Sequence, residues 1–237
     1  MNLDLLHVPA GRSVVAFLRY VPRKPRGTAI VAAHGYSSSK QNLDPLCAFL
    51  CAHGYEVFSL DFPGHKLGAS HGRLESLDDA VAAMTAVVAV SRERCAEPFV
   101  LGHSLGALTA ILTAARDPAL QGVVAIATGY GRPAALEQLR KAVSVDLRAS
   151  YVDGASLEQL FSDADERLDR ALPLIAGRPS LYVAAENDAM VAPSSVEELF
   201  SRAPERKRFA RVSSNHTNAA QAARTPVLQW LKDVAPL

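Results

Sequence analysis

Phe99-Val100-Leu101-Gly102-His103-Ser104-Leu105-Gly106-Ala107-Leu108-Thr109-Ala110-Ile111-Leu112 places a Gly-x-Ser-x-Gly sequence between an apolar run and an apolar helical pattern. The five-residue match alone occurs by chance, but here a strand precedes it and a helix follows. A turn between two such elements is so tight that its flanking positions must be small, and the serine hydroxyl is pushed out at the end of the sheet. The first N–H groups of the following helix point at the same spot. Ser104 is therefore the candidate nucleophile, against the bland alternative of a glycine-rich turn with a solvated serine.

Outward from this stretch, short β-branched runs alternate with longer helical patterns. Strands are expected at Leu3–Val8, Ser13–Tyr20, Thr28–Ala33, Tyr55–Leu60, Phe99–Gly102, Gly122–Ala127, Leu181–Ala185 and Arg208–Ser213. The first two are joined by a turn at Pro9-Ala10-Gly11. Asp44-Pro45 reads as N-cap and first position of a helix that ends at Gly54. Helices follow at Leu77–Arg94 and Leu105–Arg116. Ser194 and Glu197 read as a capping box, and Thr225-Pro226 as the cap of the last helix. The pattern predicts an α/β fold with a mostly parallel, eight-stranded sheet and helices on both faces. Residues 130–177 carry amphipathic helical patterns and more charge, and stand out as a small helical insertion between core segments 1–129 and 178–237. Ligands in such sheets bind beyond the carboxyl ends of the strands.

The chain has 237 residues, 49% hydrophobic and 21% charged, with 25 Lys and Arg against 24 Asp and Glu. That balance gives no electrostatic reason to expect a nucleic-acid or anionic-membrane partner. The longest apolar stretch, Ala80–Val90, is bracketed by Asp79 and Arg92 and is too short to span a bilayer. No basic segment precedes the apolar residues near Met1, and the three cysteines are too few for a disulfide framework. The expectation is a cytoplasmic protein with free, buried thiols at Cys47 and Cys51, acting as a monomer or homodimer. No phosphate-binding glycine loop with a following lysine and no metal-ligand cluster is visible, so no cofactor and no metal are expected.

The motifs together resemble the α/β-hydrolase superfamily over nearly the whole chain. Besides the Ser104 turn, the resemblance rests on His34-Gly35-Tyr36 directly after a strand and on Asp61-Phe62-Pro63-Gly64-His65, which is similar to the family's D-x-x-G-H-G-x-S loop with two residues inserted before Gly68-Ala69-Ser70. It implies that Tyr36 and Leu105 supply the two backbone N–H donors of an oxyanion hole. It also implies the chain order Ser, acid, His. Of the seven histidines only His216 follows Ser104, and it comes just after the last strand. His216 is thus the expected base, with His34 a remote alternative that more often shapes its loop. Asn215 stands before it where related enzymes often have Gly.

The acid is expected at Asp188, after the strand Leu181–Ala185 and before Met190-Val191 and Pro193, with Glu186 as the nearest competitor. Asp153, Asp163 and Asp165 lie in the insertion and read as a solvated face. The Asp61 loop reads as a brace, although His65 and His71 are alternatives for the mouth of the site.

In this superfamily residues 130–177 hold the place of a cap. Tyr36, Tyr130, Tyr151 and Phe161 are the candidates for contact with substrate, with Leu136, Leu139, Leu157 and Leu160 as further lining. Gly131-Arg132 and Arg140-Lys141 bring positive charge near it. The motif order is most similar to small-cap serine carboxylesterases, including the feruloyl-esterase and monoacylglycerol-lipase-like groups. The activity implied is hydrolysis of a small-molecule carboxylic ester through an acyl-enzyme on Ser104. A thioesterase, amidase, C–C bond hydrolase or acyltransferase would use the same triad, and a non-catalytic ligand-binding homologue is the alternative from another class.

Overall fold

Eight strands form one sheet in the computed structural model, which describes residues 1–131 and 148–235. They are β1 (Asn2–Ala10), β2 (Ser13–Val21), β3 (Ala29–Ala33), β4 (Glu56–Leu60), β5 (Phe99–His103), β6 (Val123–Ile126), β7 (Ser180–Ala185) and β8 (Lys207–Val212). The spatial order is β1-β2-β4-β3-β5-β6-β7-β8. β2 runs antiparallel to both its neighbours, and every pairing from β4 to β8 is parallel. The inner strands β3 to β7 are buried at every position, which is why their sequences are mostly apolar and lack an in-out alternation.

Helices cover both faces. On one lie α2 (Leu77–Arg92), α3 (Leu105–Arg116), α4 (Leu157–Phe161), α5 (Ala164–Ala171) and α6 (Pro193–Arg202), packed on Val31, Val100, Ala125 and Tyr182. On the other lie α1 (Asp44–Ala52), α7 (Ala219–Ala222) and α8 (Arg224–Val234), packed on Ile30, Leu101, Val124 and Val183. Trp230 of α8 is buried edge-on against Phe99 at 5.7 Å. Cys47 and Cys51 are buried free thiols on α1, and burial pushes the Cys47 thiol up to about 12. Among the described residues no helix is long and apolar enough to cross a membrane.

Some boundaries differ from the sequence reading, each for a local reason. Ala10 pairs with Ser13, so Pro9 and Ala10 belong to β1 and the turn is Gly11-Arg12, with Gly11 at φ 59°. Asp44 is the first residue of α1 rather than its N-cap. A 3₁₀ turn at Lys40–Leu43 leads straight into the helix, and the Asp44 carboxylate accepts instead from the Tyr20 hydroxyl at 2.9 Å. The Ser194 side chain caps nothing, because Pro193 already starts α6 and needs no donor satisfied there. Thr225-Pro226 falls inside the first turn of α8, which begins at Arg224. The reciprocal capping box occurs at Ser156 and Gln159, at the start of α4.

Within the expected insertion, many described residues pack into the main core. From Ala164 onward its residues pack on α3 and join the main core, with Leu168, Ala171, Leu172 and Ile175 all buried. Parallel neighbours β6 and β7 need a crossover, and α5 provides it in the core layer. Leu136, Leu139, Arg132, Arg140 and Lys141 lie outside the described residues. The segment before α4 is instead sewn to the Asp61 loop. Asp153 N–H donates to Gly64 O at 2.8 Å, Leu74 N–H to Asp153 O at 3.1 Å, Ala155 N–H to Leu74 O at 2.7 Å and Lys66 N–H to Tyr151 O at 2.9 Å.

That seam requires glycine at 154. A Cβ there would sit 2.0 Å from Leu74 O, and the residue has φ 146°, whereas Gly177 also has positive φ (81°) but open space around it. Gly177→Ala is expected to cost about 1 kcal/mol of backbone strain. Gly154→Ala should cost roughly 1–3 kcal/mol more, because the seam must open. Urea unfolding of the two variants checks the difference, and equal losses would contradict the seam.

Candidate active site

The turn between β5 and α3 sets the geometry. A Cβ on Gly102 would lie 2.0 Å from Gly106 O, and one on Gly106 would lie 2.1 Å from Ala33 O. Both positions are therefore closed to any side chain. Ser104 is held at φ 53°, ψ −113°, a conformation that costs of the order of 1–3 kcal/mol for a non-glycine residue. Its N–H donates to Ile126 O at 2.8 Å, which pins the turn to the end of β6. Among the described residues four non-glycine positions have positive φ, and two of them, Ser37 and Ser104, sit directly beside Tyr36 and Leu105. The strain thus gathers where the two expected N–H donors lie. The Leu105 N–H belongs to the first turn of α3, where helices leave donors unpaired.

His216 Nδ1–H donates to Asp188 Oδ2 at 2.7 Å. Asp188 is buried after β7, and its other oxygen accepts from Met190 N–H and Val191 N–H, both at 2.8 Å. Burial works to raise the Asp188 pKa, but the bonds from His216, Val191 and Met190 outweigh it and hold the carboxyl below the usual range. Glu186, two residues earlier, is exposed. The carboxylate at the imidazole is that of Asp188. Asn215, where Gly is common, accepts from Asn218 N–H through its side chain at 3.0 Å and so closes the His216 loop itself.

His34 has both ring nitrogens engaged. Nδ1–H donates to Gly35 O at 2.7 Å, and Nε2 accepts from Phe62 N–H at 3.1 Å. It shapes the loop that presents Tyr36. Beneath it Asp61 is fully buried, accepting from Lys40 N–H at 2.7 Å, from Ala69 N–H at 2.8 Å and from the buried Lys40 ammonium group. Gly68-Ala69-Ser70 folds back onto Asp61 despite the inserted residues, with the Ser70 hydroxyl donating to Asp61 O at 2.8 Å. Nothing in the sequence singled out Lys40. The brace reading of the loop omitted a second job, since the same loop carries the seam to residues 151–155. His65 is buried against His34, Phe62 and Tyr36, while His71 is exposed and pairs with Val14.

The four candidates for substrate contact fare differently. Tyr36 is partly buried, with its hydroxyl donating to Ala155 O at 3.4 Å. Tyr130 lies under the Arg202 guanidinium at 3.9 Å and donates to Asp169 at 2.8 Å, so its ring ties the start of the insertion to α5 and α6. Tyr151 is exposed on the seam. Phe161, with Leu157 and Leu160, is buried in the main core, where packing rather than lining is its use. Asp165 accepts from Gly131 N–H at 3.0 Å, and Asp153 and Asp163 pair with Lys66 and Arg167. Among the described residues no group of three or more His, Cys, Asp or Glu could hold a metal ion.

The sequence family described as serine aminopeptidase, S33, matches residues 23–171. No match was found among curated proteins. Many solved structures share the fold. The Pyrococcus furiosus esterase Pf2001 is 19% identical with a TM-score of 0.77, over 98% of this chain and 93% of the other. The esterase domain of a Rhodothermus marinus protein is 20% identical with a TM-score of 0.74, over 98% and 99%. The thioesterase domain from the curacin biosynthetic pathway is 15% identical with a TM-score of 0.68, over 98% and 100%.

Three buried histidines give the site an acid limit. Burial lowers His34 below its ordinary value and takes His65 and His103 down to about 3. A base whose folded pKa is depressed stays neutral while the unfolded chain takes up its proton. Stability is therefore full above about 6.5 and is lost as pH falls from there toward 3. Unfolding free energy should decline from pH 7 to 5, and His65→Gln should make the slope shallower by about one proton. Denaturant titrations at several pH values measure this; a flat profile over that range would contradict it.

Proposed function

This chain belongs to the serine aminopeptidase, S33, family of α/β hydrolases, and we propose that it hydrolyses carboxylic esters through an acyl-enzyme on Ser104. The observation that carries the proposal is the 2.7 Å contact between His216 Nδ1 and Asp188 Oδ2, made on the two loops that follow β7 and β8. Asp188 fixes the tautomer in which Nδ1 carries hydrogen, which leaves Nε2 free to act as base.

In the first half-reaction Ser104 Oγ attacks the ester carbonyl carbon and its proton passes to His216 Nε2. The carbonyl oxygen becomes an oxyanion, met by the N–H groups of Tyr36 and Leu105. Donors fixed in a folded backbone need no reorganisation as the charge forms, and each contributes about 2.7–4 kcal/mol in comparable sites. The C–O bond to the alcohol then breaks and the imidazolium returns its proton to the leaving oxygen. In the second half-reaction His216 takes a proton from water, hydroxide adds to the acyl carbon, and Ser104 leaves with the proton restored. No cofactor enters either half. Residues 148–156, which precede α4, act as a small cap over this site and exclude water.

Fluorophosphonate labelling is expected for the wild type and not for Ser104→Ala. Labelling of both, or of neither, would overturn the assignment. Asp188→Asn should lower kcat by about 10⁴ with the fold retained, read from steady-state kinetics beside circular dichroism. A panel of p-nitrophenyl esters of graded chain length, run beside acyl-CoA thioesters, should show preference for the oxygen esters. A strong preference for thioesters would replace the ester reading by a thioesterase.

A further inference from the structure

His103 occupies the variable position just before Ser104, at the end of β5. Its side chain does not point idly into the core. His103 Nε2 lies 2.9 Å from His216 O, and the two rings are 4.8 Å apart. A carbonyl oxygen only accepts, so Nε2 must carry the hydrogen. On its other side the ring closes on the oxyanion loop, because a Cβ on Gly35 would lie 3.1 Å from His103 Nδ1. One buried imidazole thus touches the loop of the proposed base and the loop of the proposed oxyanion donor, and is covalently joined to the proposed nucleophile.

We infer that His103 is a positioning residue, which holds the backbone of His216 by donating from Nε2–H to the His216 carbonyl and so sets where the imidazole of His216 stands relative to Ser104. The inference rests on the triad reading above.

The competing restraints on that loop are few and do not duplicate it. Ala219 N–H also donates to His216 O, but at 3.3 Å. Asn187 N–H donates to Ser214 O at 2.9 Å, and Asn218 N–H to the Asn215 side chain at 3.0 Å. These close the loop on either side of His216. Among the described residues only the bond from His103 ties it to the strand that carries Ser104. The charge state suits the task. When the catalytic cycle makes His216 an imidazolium, a second cation beside it would oppose proton transfer. His103 stays neutral at working pH, driven down by burial and by its neighbour His216. The groups facing it are His216, Asp188 and His34, and of these the buried Asp188 carboxylate is directed at His216 Nδ1.

Two variants and one control separate this role from simple packing. His103→Leu keeps bulk and removes the donor. His103→Gln restores an N–H near the Nε2 position. For His103→Leu, kcat on a p-nitrophenyl ester should fall about ten- to a hundredfold with KM changed less than about threefold, since a base displaced by a fraction of an ångström affects the transition state more than substrate binding. The rate of fluorophosphonate labelling should fall by the same factor. His103→Gln should recover most of both losses, and the low-field proton resonance of the Asp188–His216 bond should broaden or shift in His103→Leu and return in His103→Gln. Circular dichroism verifies that both fold. If His103→Leu unfolds, His103→Gln against His103→Met supplies the same comparison. Wild-type rates in the leucine or methionine variant, or equal losses in the glutamine and the donor-free variants, would overturn the inference. Those results leave wild-type labelling at Ser104 intact, whereas failure of the triad reading itself would appear as wild-type enzyme that does not label.

Discussion

The close approach of backbone at Gly106 to the carbonyl of Ala33 is the constraint on which the site depends. It brings the end of β3, the end of β5 and the first turn of α3 within contact of one another, which no residue with a side chain at 102 or 106 would allow. Only then do Tyr36 after β3 and Leu105 at the start of α3 share one small volume with Ser104. The positive φ at Ser104 and Ser37 is the cost of that convergence, and it persists because β5 and α3 are buried and the Ser104 N–H is bonded to β6.

A second polar layer supports the first. Asp61 and Lys40 form a buried ion pair beneath His34, with backbone donors from Lys40 and Ala69 completing the carboxylate. Burying two charges is costly unless their remaining hydrogen-bonding capacity is used, and here that of the carboxylate is used on the loops that need holding. His34, His65 and His103 lie around this layer as neutral rings. They position backbone rather than carry charge, so the region tolerates neutral pH better than acid.

Much of the arrangement was legible in the chain itself. Short apolar-rich runs marked β3 to β7 because those strands are covered on both faces, and Gly54 marked the end of α1 because positive φ there disfavours other residues. The capping assignments at Asp44 and Ser194 went astray because a preceding 3₁₀ turn and a proline had already set those helix starts. Residues 130–177 looked uniform in sequence, since amphipathic patterning does not say which surface a helix covers. Contact with α3 decided that α5 belongs to the core.

The sequence by itself determined the eight strands, the strand-turn-helix at Ser104 and a single histidine downstream of it, because these follow from local sterics and from chain order. Only the tertiary structure decided that Asp188 rather than Glu186 meets His216, that Lys40 neutralises Asp61, and that His103 reaches across to the carbonyl of His216. Each of these joins residues from different strand ends, adjacent ones for Asp188–His216 and Lys40–Asp61 and more distant ones for His103–His216, and parallel strands gather such ends on one edge of the sheet at a register no local pattern encodes.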